Sequence, residues 1–480
     1  VHILVAAAAL LFFIFYVLPS QYESTNSVPS RATAHRLAHV GGSNKQQQQQ
    51  LQQQQSLRRH ADGPVGKAAA ALPSSNWTKY FFQAQRCQGP WLRDYANLHA
   101  AILEGNSGPR YLVSVPPHSG LADRLVGFVT HFWHAVLTDR AWTTVSHPEN
   151  PGLDAICEAP TFDWTRAPQA VTADAVMDRL RKGFKGPGKR SQVPAGFDQA
   201  KYSLQYLFDS ANPTRRMYGR LDLCNNSKTY LAMVMNRGRT YRLASNPHHK
   251  RQLEQIGVPA RDLFMCGFFA MCQPVPAVQQ YYQKYWDALS EPGILRIGIQ
   301  VRLGDQAMWA NGPAPDPRKV LAQKWKFFKC AERLEAAFAA PGQKVVWFLN
   351  SDSQQLRQAA KAKYGSKLLT DDELVMVHPE CERRPPANNT TSSSGSGSST
   401  SGSAGCEAAS RAWALQHSLG SVLTFSMTDY QIITIRSGFG RTGAWLADRR
   451  DGIYEINGLG DCVPGKPTPL NVSSDRWSGI

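Results

Sequence analysis

Leu295-Arg296-Ile297-Gly298-Ile299-Gln300-Val301-Arg302-Leu303-Gly304-Asp305 is a β-rich run that breaks off on an arginine, a glycine and a carboxylate. A near-continuous apolar run of this length reads as a strand buried on both faces, as in parallel sheets. The pattern alternates outward from it. Lys319 to Ala339 reads as a helix, Val345 to Leu349 as a strand, Gln354 to Tyr364 as a helix and Leu368-Leu369 as a short strand. Further on come a helical region around Ala408 to Leu415, a strand Gln431 to Ile435, a helix Arg441 to Ala447 and a strand Gly452 to Ile456. Upstream, Tyr111 to Val115, Leu121 to Thr138 and Ala141 to Val145 form one β-α-β unit. Such alternation predicts α/β architecture in parallel layers; the length suggests two domains, read at residues 76–290 and 291–480, the second of them Rossmann-like.

Composition frames this reading. The chain has 480 residues, 42% hydrophobic and 10% aromatic, enough for a large core. Lys and Arg number 53 against 36 Asp and Glu, a net charge of +17 that suits a polyanion or the phosphates of an activated sugar. The cations are dispersed and form no long basic run with interleaved aromatics, so nucleic-acid binding is not expected. Residues 1–18 are apolar apart from His2 and long enough to cross a bilayer. With no small-x-small site after Val17-Leu18-Pro19-Ser20, a retained membrane anchor is expected in preference to a cleaved signal peptide. Residues 19–75, with Gln46 to Gln50 and Gln52 to Gln55, read as a disordered stem, and residues 383–405 as a Ser/Gly-rich disordered insertion. Five N-x-S/T sequons begin at Asn76, Asn225, Asn388, Asn389 and Asn471, which fits a lumenal chain. The nine cysteines lack paired C-x-x-C spacing, which argues for disulfides over structural zinc. Cys381 and Cys406 bracket the insertion, and a bridge between them is one of several open pairings.

Ligands of open parallel sheets bind beyond the carboxyl ends of the strands. Three predicted strands end on polar groups there: Arg302 to Asp305, the run Asn350-Ser351-Asp352, and Arg436-Ser437-Gly438-Phe439-Gly440 leading into a helix. If the strands are neighbours, all three face one cleft. A guanidinium can bridge pyrophosphate oxygens, a helix start preceded by Ser and Gly offers backbone N–H groups, and a carboxylate can accept from guanine. Each also has a purely structural reading: Arg302 pairing with Asp305, Asp352 capping the next helix, Ser437 capping its own.

His118-Ser119-Gly120-Leu121-Ala122-Asp123-Arg124-Leu125, continuing through Ala135-Val136-Leu137-Thr138-Asp139-Arg140, resembles the opening block of plant-type cell-wall (xyloglucan) fucosyltransferases. Gly298-Ile299-Gln300-Val301-Arg302, the region Leu263 to Val278, and Thr428-Asp429-Tyr430 through Ser437-Gly438-Phe439-Gly440 are similar to later blocks of that family, in its order. Ala122 and Asp123 stand where the family has Gly and Asn. The resemblance implies a GT-B fold, GDP-fucose as donor, a glycan acceptor, inversion at the anomeric carbon and a Golgi enzyme of type II topology. It places Arg302 on the pyrophosphate, Asp352 on the guanosine side and Ser437, Gly438, Phe439 and Gly440 around phosphate and base. Gly120, Asp123 and Arg124 would line the cleft from the N-terminal domain.

An inverting transfer needs a base for the acceptor hydroxyl, and Asp305 and Asp123 are the candidates, each also readable as a salt-bridge partner of a neighbouring arginine. No D-x-D occurs in the chain, so no metal is expected, and Asp371-Asp372-Glu373 reads as a solvated turn. Protein O-fucosylation, another nucleotide-sugar transfer on the same fold, and a catalytically inactive glycan-binding relative are the competing readings.

Overall fold

The computed structural model describes residues 76–117, 119–146, 150–168, 201–207, 211–304, 316–372, 374, 408–447, 451–456 and 462–468. The predicted anchor, stem and insertion, together with His118, Asp305, Cys381 and Cys406, lie outside them. Among the described residues no helix is long and apolar enough to cross a membrane.

Two parallel sheets organise the chain. The first joins β1 (Tyr111–Val115), β2 (Ala141–Thr144), β4 (Tyr202–Tyr206) and β5 (Tyr230–Val234) in the order β2-β1-β5-β4. The second joins β7 (Leu295–Val301), β8 (Val345–Ser351), β9 (Leu368–Thr370), β10 (Tyr430–Thr434) and β11 (Ile453–Ile456) in the order β11-β10-β7-β8-β9. A small antiparallel pair, β3 (Cys157–Glu158) with β6 (Gln273–Pro274), stands apart. All of β7 except Arg296 is buried, as its apolar run predicts for a strand covered on both faces.

Helices cover the sheets. Following α1 (Pro90–Leu103), α2 (Leu121–Leu137) is buried at every residue except Asp123, because it lies between the first sheet, α4 (Leu263–Met271) and α10 (Gly438–Leu446). Here α3 is Ala211–Arg220. One face of the second sheet carries α6 (Pro317–Gln323), α7 (Trp325–Phe338) and α8 (Gln354–Tyr364), closing a core around Ile297, Ile299, Trp347, Leu349 and Phe328. The other face carries α9 (Ala408–Ser426) and α10, with α5 (Pro276–Ser290) laid along α9. Gly420 makes that contact possible, since a Cβ there would come within 2.1 Å of the Tyr282 ring.

Two expectations change. The single helix read over 319–339 is two, divided at Lys324, which lets α6 lie against α8 while α7 runs along β7. The helical region read near 408–415 continues to Ser426. One apolar cluster runs from Trp77 through α2, α4 and α5 to Phe425, Ile433 and Leu446. Disulfides join Cys87 to Cys266, Cys157 to Cys272 and Cys330 to Cys462, while Cys224 keeps its thiol.

Candidate active site

The order β11-β10-β7-β8-β9 puts the three polar strand ends side by side. From β7 the chain builds outward through β8 and β9, then crosses back to add β10 and β11 on the other flank. The two directions part between β7 and β10, and at that switch point neighbouring loops diverge and leave a crevice.

The ends of β7 and β10 are tied together. Thr434 Oγ1 accepts from the Arg302 N–H at 2.9 Å, and Thr434 N–H donates to Gln300 Oε1 at 3.2 Å. The Arg302 side chain is exposed at the end of this seam. The loop after it is held by Asp352, whose carboxylate accepts from Leu303 N–H (2.8 Å) and Gly304 N–H (3.1 Å). Gly304 takes a φ of +105°, left-handed space that suits glycine. Burial pushes the Asp352 carboxyl up, against the pull of these amides and of the Arg302 charge. Asp352 therefore acts as a clamp on the Arg302 loop. It does not cap the next helix, since Ser353 Oγ accepts from Leu356 N–H at 3.2 Å.

Ser437 caps α10, accepting from Gly440 N–H at 3.3 Å. Gly440 seats the helix against the sheet: a Cβ would lie 2.8 Å from Gln300 Oε1 and 3.0 Å from Ile433 Cβ. The helix read over Arg441 to Ala447 starts earlier, at Gly438, directly behind Ser437, the cap that the sequence also offered. Gly438 and Phe439 are half-buried at the mouth of the crevice.

On the first sheet, Gly120 is exposed where the chain leaves β1 for α2, and Asp123 is half-buried in the first turn of that helix. Arg124 departs from its expected role. It is buried, donating from Nε to Ser119 O (2.8 Å), from Nη2 to Asn150 Oδ1 (2.8 Å) and from Nη1 to Pro151 O. Burial, then the charge of Arg411, lowers its pKa to about 10, with Asp123 opposing. Arg124 fastens two loops to each other, and its fork is spent on protein oxygens.

Asp371 was missed. It is buried at the carboxyl end of β9, where a solvated turn had been expected. It accepts from Tyr281 Oη (2.8 Å), Tyr282 Oη, His417 Nδ1 (2.8 Å) and Leu374 N–H (3.1 Å), which fills a carboxylate's acceptor sites. Burial alone would push this carboxyl up, yet the donors from His417, Tyr282 and Tyr281 hold it below its usual range. The His417 ring packs at a tilt against those of Trp413 (centroids 4.0 Å apart) and Tyr281 (4.3 Å). The strand-end rule that singled out Arg302 applies equally to the acid after Leu368-Leu369-Thr370. Away from the crevice, Asp222, Cys224 and His249 bring ligand-type atoms within 4.8 Å of one another, but His249 Nε2 already accepts from Leu223 N–H at 3.0 Å.

No protein-family model and no curated protein matches this chain. Solved structures do. A variant of FUT1 from Arabidopsis thaliana in complex with GDP matches with a TM-score of 0.49 at 14% identity, over 82% of this chain and 81% of that one. The fucosyltransferase NodZ from Bradyrhizobium matches with a TM-score of 0.42 at 16% identity, over 75% and 98%. POFUT1 in complex with GDP matches with a TM-score of 0.32 at 11% identity, over 72% and 97%. Likeness this distant assigns no activity, which has to come from the residues at the strand ends.

Proposed function

We propose that this chain is an inverting fucosyltransferase that moves fucose from GDP-fucose to a hydroxyl of a cell-wall polysaccharide or secreted glycoprotein. The observation that carries this reading is Arg302 and the capped start of α10 standing on either side of the β7/β10 switch point. The four sequence blocks that resemble those of plant-type cell-wall fucosyltransferases support it. In the transfer, the acceptor oxygen bonds to C1 from the face opposite the diphosphate. The bond from C1 to the β-phosphate oxygen breaks and its electron pair stays on GDP, while a carboxylate, Asp305 or Asp123, takes the hydroxyl proton. Charge growing on GDP is met by the Arg302 guanidinium and the N–H groups leading α10, so no divalent metal is required.

The two-domain GT-B arrangement, with its boundary near residue 290, belongs to the same reading. So do a type II Golgi anchor at residues 1–18 and a stem at 19–75, which would leave a chain starting near Ala70 active. A soluble chain of that kind, screened with several nucleotide sugars against a glycan array in excess EDTA, tests the proposal. Turnover of GDP-fucose alone, unchanged by EDTA, is expected. Preference for another nucleotide sugar would overturn the donor, and activity restored only by Mn²⁺ would overturn the metal-free mechanism. GDP binding with no transfer to any acceptor would favour the inactive glycan-binding relative.

A further inference from the structure

Arg436 joins β10 to α10 with φ at +62°, a left-handed conformation that glycine adopts freely and a residue with a Cβ adopts at a cost. The turn holding it is tight. Ile435 N–H still bonds to Ile456 O at 3.1 Å, and Ser437 N–H returns to Thr434 O at 3.0 Å. The Arg436 side chain is exposed and has no carboxylate partner among the described residues, whereas Arg296 pairs with Asp429 and Arg441 with Glu455 on the same sheet. Carried past the strand ends, the register Gln300↔Ile433 puts Arg436 opposite Leu303, one residue beyond Arg302 on the neighbouring strand. An arginine in a strained conformation, with no carboxylate partner among the described residues, thus stands at the switch point, on the flank opposite Arg302.

We infer that Arg436 is a second guanidinium for the diphosphate of the donor, gripping from the β10 side what Arg302 grips from the β7 side. The inference rests on the donor being a nucleoside diphosphate sugar. Such a diphosphate carries more negative charge than one arginine offsets, and forks converging from two strands would fix both its position and its orientation. The left-handed turn at Arg436 ends the alternation of β10 and leaves the side chain exposed.

The test is calorimetric titration of the soluble chain with GDP and with guanosine, using wild type, Arg302→Ala, Arg436→Ala and Arg436→Gly. Both Arg436 variants are expected to weaken GDP binding by about 10- to 100-fold, the loss of a charge-assisted contact, and to leave guanosine affinity unchanged. Arg436→Gly should melt higher than Arg436→Ala, because glycine relieves the left-handed strain. That result would show the strain is tolerated for the sake of the side chain. Wild-type GDP affinity in Arg436→Ala, alongside a loss in Arg302→Ala, would overturn the inference and leave the proposed function intact. If the wild type binds another nucleoside diphosphate in place of GDP, and that binding falls in Arg436→Ala, the inference stands and the choice of donor fails. A wild type that binds no nucleoside diphosphate at all would end both.

Discussion

Arg302 is effective only if its backbone is fixed, and two neighbours fix it: Thr434 holds its N–H, and Asp352 holds the two amides that follow. A lysine keeps the charge but loses the two-pronged grip on phosphate oxygens. Arg302→Lys is therefore expected to lower turnover by about a hundredfold, comparable to removing one preorganised donor. Its melting temperature should stay unchanged because the side chain is exposed. Turnover equal to wild type would remove Arg302 from the mechanism. Asp352→Ala should behave differently, costing about 2 kcal/mol of stability as half-buried amides lose a charged acceptor, and lowering turnover as the loop slackens. A folded Asp352→Ala enzyme with full turnover would show that the clamp does not matter. At this scale a strand end tells which residues reach the crevice, but not what else is there. Arg124 looked as available as Arg302 in sequence, and only the fold brought Ser119, Asn150 and Pro151 to its guanidinium.

Among the elements, α10 is the one whose position the site depends on. It begins at Gly438 because Ser437 caps it and Gly440 lets it sit hard against β7 and β10. Gly440→Ala would force a methyl group against Gln300 Oε1 and Ile433. The expected cost is about 1–3 kcal/mol, read as a lower melting temperature, with weaker GDP binding as the helix start is displaced. A variant as stable as wild type would mean that the helix has room to shift. Strands were easier to read than helices here. Apolar runs such as Leu295 to Val301 mark a strand wherever both faces are covered, whereas the break at Lys324 and the length of α9 depend on packing against α8 and α5.

Across the whole molecule, the first sheet and its helices bury several imidazoles. His99 Nε2 donates to Trp142 O (2.9 Å) and His131 Nδ1 meets Ser114 Oγ (2.9 Å); burial lowers their pKa values to about 4 and about 3. His134 is driven well below its ordinary range by burial and then by the charges of its neighbours. Because the folded values lie below the unfolded value near 6.5, these groups stabilise the fold fully above that pH. The contribution is lost as pH falls toward 4 and 3, where the unfolded chain binds protons the native one refuses. At pH 5 the loss is about 2 kcal/mol for each of His99 and His131. Melting temperatures taken from pH 7.5 down to 5 should fall steadily below 6.5, and a flat profile would contradict this assignment.

Alternation of apolar strands with amphipathic helices was enough, read along the chain alone, to place parallel α/β layers and to mark Arg302 and Ser437 at strand ends, because strand burial and helix capping depend on residues close in sequence. Strand order, the switch point, the commitment of Asp352 and Arg124 to loops, and the burial of Asp371 among Tyr281, Tyr282 and His417 were decided only by the tertiary structure. A buried polar group must find its partners wherever the fold brings them, and for Asp371 those partners come from α5 and α9, segments 46 to 90 residues away along the chain.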